Sequence, residues 1–282
     1  MTNNPKKIFI SIDMEGISGI VGGGMTGEDQ KEYEYGRMLM VGDLNAAIEG
    51  ALEVGADEIV VCDAHGSMMN IKPGEINEAA YLISGRPKPD LMMSGISEGF
   101  DAALYVGYHS MKGTLKGVLA HTIAGGTVDG IFINGRETGE FGLNAALAGY
   151  HNVPSVFVSG DDAVSREAKT FVPNIKTAIV KYGVSRAAAK CLHPKKARTL
   201  IRNTVKEALE NIGDIDPYRV NEPVEFKLRY TSSTMADAAS VLPYIDRVNG
   251  RTVKATFKNY PDAVRGLLAA ITIGGTTIRR RT

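Results

Sequence analysis

Asp13 and Glu15 stand one residue apart at the end of the apolar run Ile8-Phe-Ile-Ser-Ile12, and Gly16 and Gly19 follow them. In a continuing strand, residues i and i+2 project to the same face. The two carboxylates would then share one side and repel each other unless a cation lies between them. Further on, Asp63-Ala64-His65 closes the run Glu58–Cys62, and His109 closes Ala103–Tyr108. Glu140 begins a helical pattern, a position that suits a carboxylate electrostatically whether or not it does chemistry. Three of the five histidines, His65, His109 and His121, fall among these carboxylates. His151, beside Asn-Val-Pro, and His193, in front of Pro, read as surface or helix-cap residues.

Asp13, Glu15, His65, His109 and Glu140 together form a mixed oxygen and nitrogen set that suits Zn²⁺ and is tolerable for Mn²⁺ or Co²⁺. The set is too large for one tetrahedral catalytic zinc with an open position. It is about right for two ions that share a bridging carboxylate and a bridging water. No local motif such as HExxH is present, so spacing alone leaves unconnected structural residues as the open alternative.

The elements that must position these residues repeat as strand, polar end and helix over the first ~160 residues, which indicates a mostly parallel, doubly wound α/β sheet with sites at its C-terminal strand edges. Strands are expected at 8–12, 58–62, 80–84, 91–94, 103–108 and 155–159, with an amphipathic helix at 33–54. Asn134-Gly135 lies between two extended-looking segments and signals a hairpin that leads into the helix after Glu140. Beyond about residue 190 the character changes. A charged helix at 194–212, alternating strands at 224–230 and 251–257, and helices at 235–242 and 261–271 read as an α+β layer without strong catalytic residues of its own. The expected organisation is an α/β metal-binding catalytic domain over 1–190 and a smaller α+β portion over 191–282 packed on it.

Lys plus Arg equals Asp plus Glu at 32 each, so there is no global field to attract nucleic acid or an anionic membrane. Cys62 and Cys191 are the only cysteines and have no CxxC spacing, which points to a reducing compartment. Neither a secretory leader at Met1–Lys7 nor a membrane span is read from the sequence, and a cytoplasmic protein is expected. Two rival motifs are present. Gly22-x-Gly24-x-x-Gly27 has dinucleotide-binding spacing and would make the chain a non-catalytic nucleotide module, but no strand runs directly into it and Glu28 and Asp29 would repel a pyrophosphate. Gly95-Ile-Ser97-Glu-Gly99 has nucleophile-elbow spacing and would make it a serine hydrolase, but the helix that must follow Ser97 is cramped by the next strand.

Ser-Ile-Asp13-Met-Glu15-Gly-Ile-Ser-Gly, Asp63-Ala-His65-Gly-Ser, Val-Gly-Tyr-His109, His121-Thr and Gly-Glu140-Phe-Gly-Leu-Asn-Ala resemble, in order, the motifs of the M55 peptidase family, the D-aminopeptidases. The likeness runs over nearly the whole chain. It implies two zinc ions per subunit, with Asp13 bridging, Glu15 and His65 completing one site, and His109 and Glu140 holding the other. It implies that His121 is the catalytic histidine, described for the family as a nucleophile. Beside a metal site, an imidazole there is more useful in stabilising an oxyanion or moving a proton. The expected activity is removal of the N-terminal residue from short peptides containing D-amino acids, such as D-alanyl peptides. The resemblance also implies a ring-shaped homo-oligomer, a decamer.

Overall fold

Residues 8 to 12 of strand β1 (Lys7–Ile12) are all buried, as befits a strand covered on both faces of a parallel sheet. In the computed structural model, which describes residues 5–278, β1 pairs in parallel with β2 (Glu58–Asp63) on one side and β4 (Ala102–Tyr108) on the other. The N-terminal stretch read for a leader begins outside the described residues. With β3 (Ala80–Ile83), β7 (Ser155–Asp161), β8 (Lys176–Ser185) and β9 (Ala188–Cys191), these strands make a seven-stranded sheet in the order β3-β2-β1-β4-β7-β8-β9. Only the β8–β9 pairing is antiparallel. The mostly parallel α/β sheet expected from the sequence is therefore present. Its strand order reverses direction between β1 and β4, the place where an open α/β sheet leaves a crevice at its C-terminal edge.

A second, antiparallel sheet runs β11-β12-β10-β5-β6, built from β5 (Val128–Ile133), β6 (Arg136–Thr138), β10 (Val224–Tyr230), β11 (Asp246–Arg247) and β12 (Thr252–Phe257). Asn134 and Gly135 both take positive φ, 47° and 83°, as a two-residue primed turn requires. The hairpin at 128–138 pairs with β10 rather than joining the parallel run. This sheet thus draws strands from both sides of residue 190. β10 is buried at every other residue, the alternation that marked it in the sequence.

Among the described residues six α-helices cover the sheets: α1 (Tyr33–Glu53), α2 (Glu140–Tyr150), α3 (Asp162–Phe171), α4 (Pro194–Glu210), α5 (Ser233–Ala239) and α6 (Tyr260–Gly275). α1 packs on α4, while α2 packs on α3 and also on α6, which lies against β10 and β12. Among the described residues no helix is long and apolar enough to cross a membrane.

One expected strand and both rival motifs are not found. Residues 91–94 are not a strand: Leu91–Met93 and Ile96–Glu98 are short 3₁₀ turns, broken apart by Gly95 at φ 102° and closed by Gly99 at φ 80°. Ser97 sits exposed on the second turn with no strand before it and no helix before β4, so the nucleophile elbow is absent. The glycine-rich loop likewise forms a 3₁₀ turn at Gly23–Met25 rather than a strand-to-helix phosphate cradle.

Candidate metal centre

The registers of β1, β2 and β4 bring their C-terminal ends level, with Ile12 opposite both Asp63 and Val106. Pairing continues just past the strands. The Asp13 amide donates to the Val106 carbonyl at 2.9 Å, and the Ala64 amide donates to the Ile12 carbonyl at 2.9 Å. The chain then leaves the strand instead of continuing it: the Gly16 amide donates to the Gly107 carbonyl at 2.7 Å. A Cβ on Gly16 would fall 1.9 Å from the Tyr108 carbonyl oxygen, and one on Gly107 (φ 68°) would fall 2.3 Å from that of Asp13. Both positions therefore need glycine, and the tight crossing they permit places Asp13 and Glu15 over the end of β4.

Buried polar groups fix this loop from two sides. Lys181 on β8 donates from Nζ to the carbonyls of Glu15, Ile17 and Ile20, and burial lowers its pKa to about 8. Asp43 on α1 accepts from the Ser18 amide at 2.8 Å and from the Ser18 hydroxyl at 2.9 Å. The loop carrying His65 is shaped by Asp63, which accepts from the amides of Asn70 and Ile71 and from the Asn70 side chain. Asn70 in turn donates to the His65 carbonyl at 2.7 Å.

These supports bring the five residues singled out in the sequence together. His65 Nδ1 lies 3.3 Å from Asp13 Oδ1 and 3.0 Å from Glu15 Oε2. His109 Nε2 lies 3.4 Å from Asp13 Oδ2 and 3.4 Å from Glu140 Oε1. Each imidazole is oriented by a carbonyl at its far nitrogen, Thr26 for His65 Nε2 at 2.8 Å and Ser110 for His109 Nδ1 at 3.0 Å. A carbonyl only accepts, so the far nitrogen carries the proton. In the neutral ring the near nitrogen then turns a lone pair toward two carboxylates. Asp13 Oδ2, Glu15 Oε2 and His109 Nε2 are buried without a hydrogen-bond partner. Lone pairs converging on carboxylates in a dry site repel unless positive charge sits among them. The donor set therefore fits metal ions.

The protein's own electrostatics make the same demand for positive charge. Burial, reinforced by Glu15, raises the Asp13 carboxyl to about 7. Burial alone would lower His65, but the charge of Glu15 and hydrogen bonds donated to Asp13 and Glu15 outweigh it and push the ring up to about 12. His109 is likewise raised well above its ordinary value, since Glu140 and Asp13 outweigh its burial. Glu15 and Glu140 are buried too, yet the facing His65 and His109 hold their carboxyls below the usual range.

His121 stacks on His109 with ring centroids 4.1 Å apart and planes 16° apart. Its Nδ1 lies 2.9 Å from the Leu119 carbonyl, and its Nε2 lies 3.9 Å from Glu140 Oε1. Burial and the neighbouring His109 keep its pKa below the ordinary value. Glu140, at the start of α2, accepts from the Ile123 amide at 2.6 Å. Among the described residues two groups have ligand-capable atoms mutually within 4.8 Å: Asp13, Glu15 and His65 in one, and His109, His121 and Glu140 in the other. The remaining histidines serve elsewhere, His193 as the N-cap of α4 and His151 at the C-terminus of α2.

A cavity of about 700 Å³ opens over these residues, reaching Asp13, Glu15, His65, His121 and Glu140. Its far wall is α6, through Leu268, Ile271 and Thr272. The C-terminal portion, read as lacking catalytic residues, thus shapes the site. The sequence reading also missed Lys181, Asp43 and the Thr26 carbonyl. Only Lys181 left a trace in the sequence, as a lysine directly after the apolar run at 178–180.

Comparison with known proteins finds relatives over nearly the whole chain. The model of the M55 peptidase family, described as D-aminopeptidase, matches residues 6–269. A D-aminopeptidase of Bacillus subtilis (strain 168) is 36% identical over 263 residues, covering 93% of this chain and 95% of the relative. The solved structure of the Zn-dependent D-aminopeptidase DppA from Bacillus subtilis, a self-compartmentalizing protease, superposes with a TM-score of 0.94 at 34% identity and covers 97% of this chain and 100% of that one.

Proposed function

Since the chain belongs to the M55 peptidase family and is a metal-dependent peptidase, we propose that it removes the N-terminal residue from short D-amino-acid-containing peptides at a two-zinc centre. The observation that carries this reading is the division of Asp13, whose two oxygens each face the near ring nitrogen of a different histidine. Asp13 would bridge the ions, Glu15 and His65 would complete one site, and His109 and Glu140 would hold the other. When bound, zinc supplies Lewis-acid polarisation of the scissile carbonyl and acidifies water for attack.

The chain's own residues supply orientation and proton transfer. With its Nδ1–H donating to the Leu119 carbonyl, His121 offers Nε2 as a proton acceptor on the cavity side. The resulting imidazolium can hold an oxyanion by a charged hydrogen bond and pass its proton to the leaving amine. A role as nucleophile would need carbon to bond to that same Nε2, which stacking on His109 and the nearby Glu140 hold at the cavity edge. The α6 wall and the apolar side chains near the rim exclude water from the peptide's side chains.

The experiment is hydrolysis of D- and L-alanyl p-nitroanilides and dipeptides by chelator-stripped protein with and without zinc. We expect zinc-dependent turnover with preference for the D series. Full activity after stripping would overturn the metal reading, and a preference for L substrates would overturn the stereochemical one. By analogy with the self-compartmentalizing relative, we also propose that the chain closes into a ring-shaped homo-decamer. Light scattering that returned a monomer would contradict it.

A further inference from the structure

The cavity has an internal charge polarity. Its base carries Asp13, Glu15 and Glu140, and among its described lining residues the only permanently cationic side chain is Arg86, at the rim. Arg86 follows β3, on a segment tied to the loop after β2. The Gly85 amide donates to the Met68 carbonyl at 2.6 Å, the Ser84 hydroxyl donates to the same carbonyl at 3.1 Å, and Arg86 Nη1 donates to the Gly66 carbonyl at 2.9 Å. The guanidinium is thus held next to the His65 loop by one hydrogen bond to a neutral carbonyl. Among the described residues it is given no carboxylate partner. Arg37, Arg229, Arg247 and Arg265 each pair with an acid; of the described arginines without such a partner, Arg86 is the one that lines this cavity. A planar fork of donors at a cavity mouth, held in place and unneutralised, matches a carboxylate better than any other common peptide group.

Resting on the aminopeptidase reading above, we propose that Arg86 is a specificity-determining residue. It recognises the free C-terminal carboxylate of a short peptide whose N-terminal end lies over Asp13, Glu15 and Glu140. The cavity, about 700 Å³, accommodates a peptide of a few residues between these ends. The enzyme would then select di- and tripeptides over longer chains or amidated ones by charge at the far end, as well as by space.

The test compares kcat/KM for D-alanyl-D-alanine and for its C-terminal amide, in the zinc-loaded wild type, Arg86→Met and Arg86→Lys, with zinc content measured on each. A charged hydrogen bond of ordinary strength gives the wild type a preference for the free acid of about tenfold. In Arg86→Met the acid-to-amide ratio should fall to near one, mainly through a higher KM for the acid, with zinc content as in the wild type. Arg86→Lys should restore part of the preference as a point charge. Equal wild-type rates on acid and amide, or an Arg86→Met loss that is the same for both, would overturn the role of Arg86 and leave the aminopeptidase reading intact. If the wild type hydrolyses neither compound, the D-peptide reading falls, and the role of Arg86 falls with it.

Discussion

Asp13 Oδ2 lies 3.4 Å from His109 Nε2, and neither atom has a hydrogen-bond partner although both are buried. The same carboxylate meets His65 through its other oxygen. Because Ser110 and Thr26 fix the tautomers of the two rings, this arrangement is stable only with positive charge on both sides of Asp13. Asp13→Asn removes the charge that both ions would share. In the wild type, added zinc should raise the thermal midpoint of the stripped protein, because a ligand that binds only the folded state stabilises it. In Asp13→Asn that rise should largely vanish, which thermal melts with and without zinc can check.

His121 stands beside the proposed ligands without being counted among them. It lies in the same group as His109 and Glu140, yet its Nε2 is 3.9 Å from Glu140 and it lines the cavity. His121→Ala should retain the zinc content of the wild type while kcat falls by about 10²–10⁴, the range for a general acid or base. Loss of zinc in parallel with activity would make His121 a ligand.

Lys181 holds the Asp13–Glu15 loop through three carbonyls at once. In Lys181→Met those carbonyls remain buried without a donor, so unfolding in urea should show a loss of about 2–4 kcal/mol. Zinc affinity should weaken as well, because the loop carries two of the proposed ligands. A stability loss with unchanged zinc affinity would show that the loop keeps its shape without this lysine.

Asp43 offers a pH test away from the ligands. Burial raises its carboxyl from 3.8 to about 6, against the lowering effect of its hydrogen bonds with Ser18. The native state therefore holds this proton more tightly than the unfolded chain between pH 4 and 6. Its contribution to stability falls as pH rises through that window and stays low above it. Asp43→Asn does not titrate. The unfolding free energy of Asp43→Asn relative to the wild type should accordingly grow by up to about 3 kcal/mol between pH 4 and pH 7. A flat difference across that range would show that the carboxylate is compensated in the fold.

Much of the site was legible because its residues end strands. Hydrophobic runs bounded by Asp13, Asp63 and His109 announce both the parallel sheet and the edge where its chemistry gathers. Asn134-Gly135 announced its turn because so few residue pairs tolerate positive φ twice in succession. The support was not legible. Lys181 acts on a loop more than 160 residues away, and the Thr26 carbonyl acts through its backbone, which any residue supplies. The α6 wall depends on how two sheets pack, which local pattern does not encode. Leu91–Ser94 misled because an apolar run of four residues suits a strand or a turn equally, and only the glycines that follow decide between them.

The most direct measurement is the number of zinc equivalents bound per chain when stripped protein is titrated and the metal is quantified. A centre bridged by Asp13 predicts about two in the wild type and close to none in Asp13→Asn. A single equivalent in the wild type, or full binding in Asp13→Asn, would contradict it.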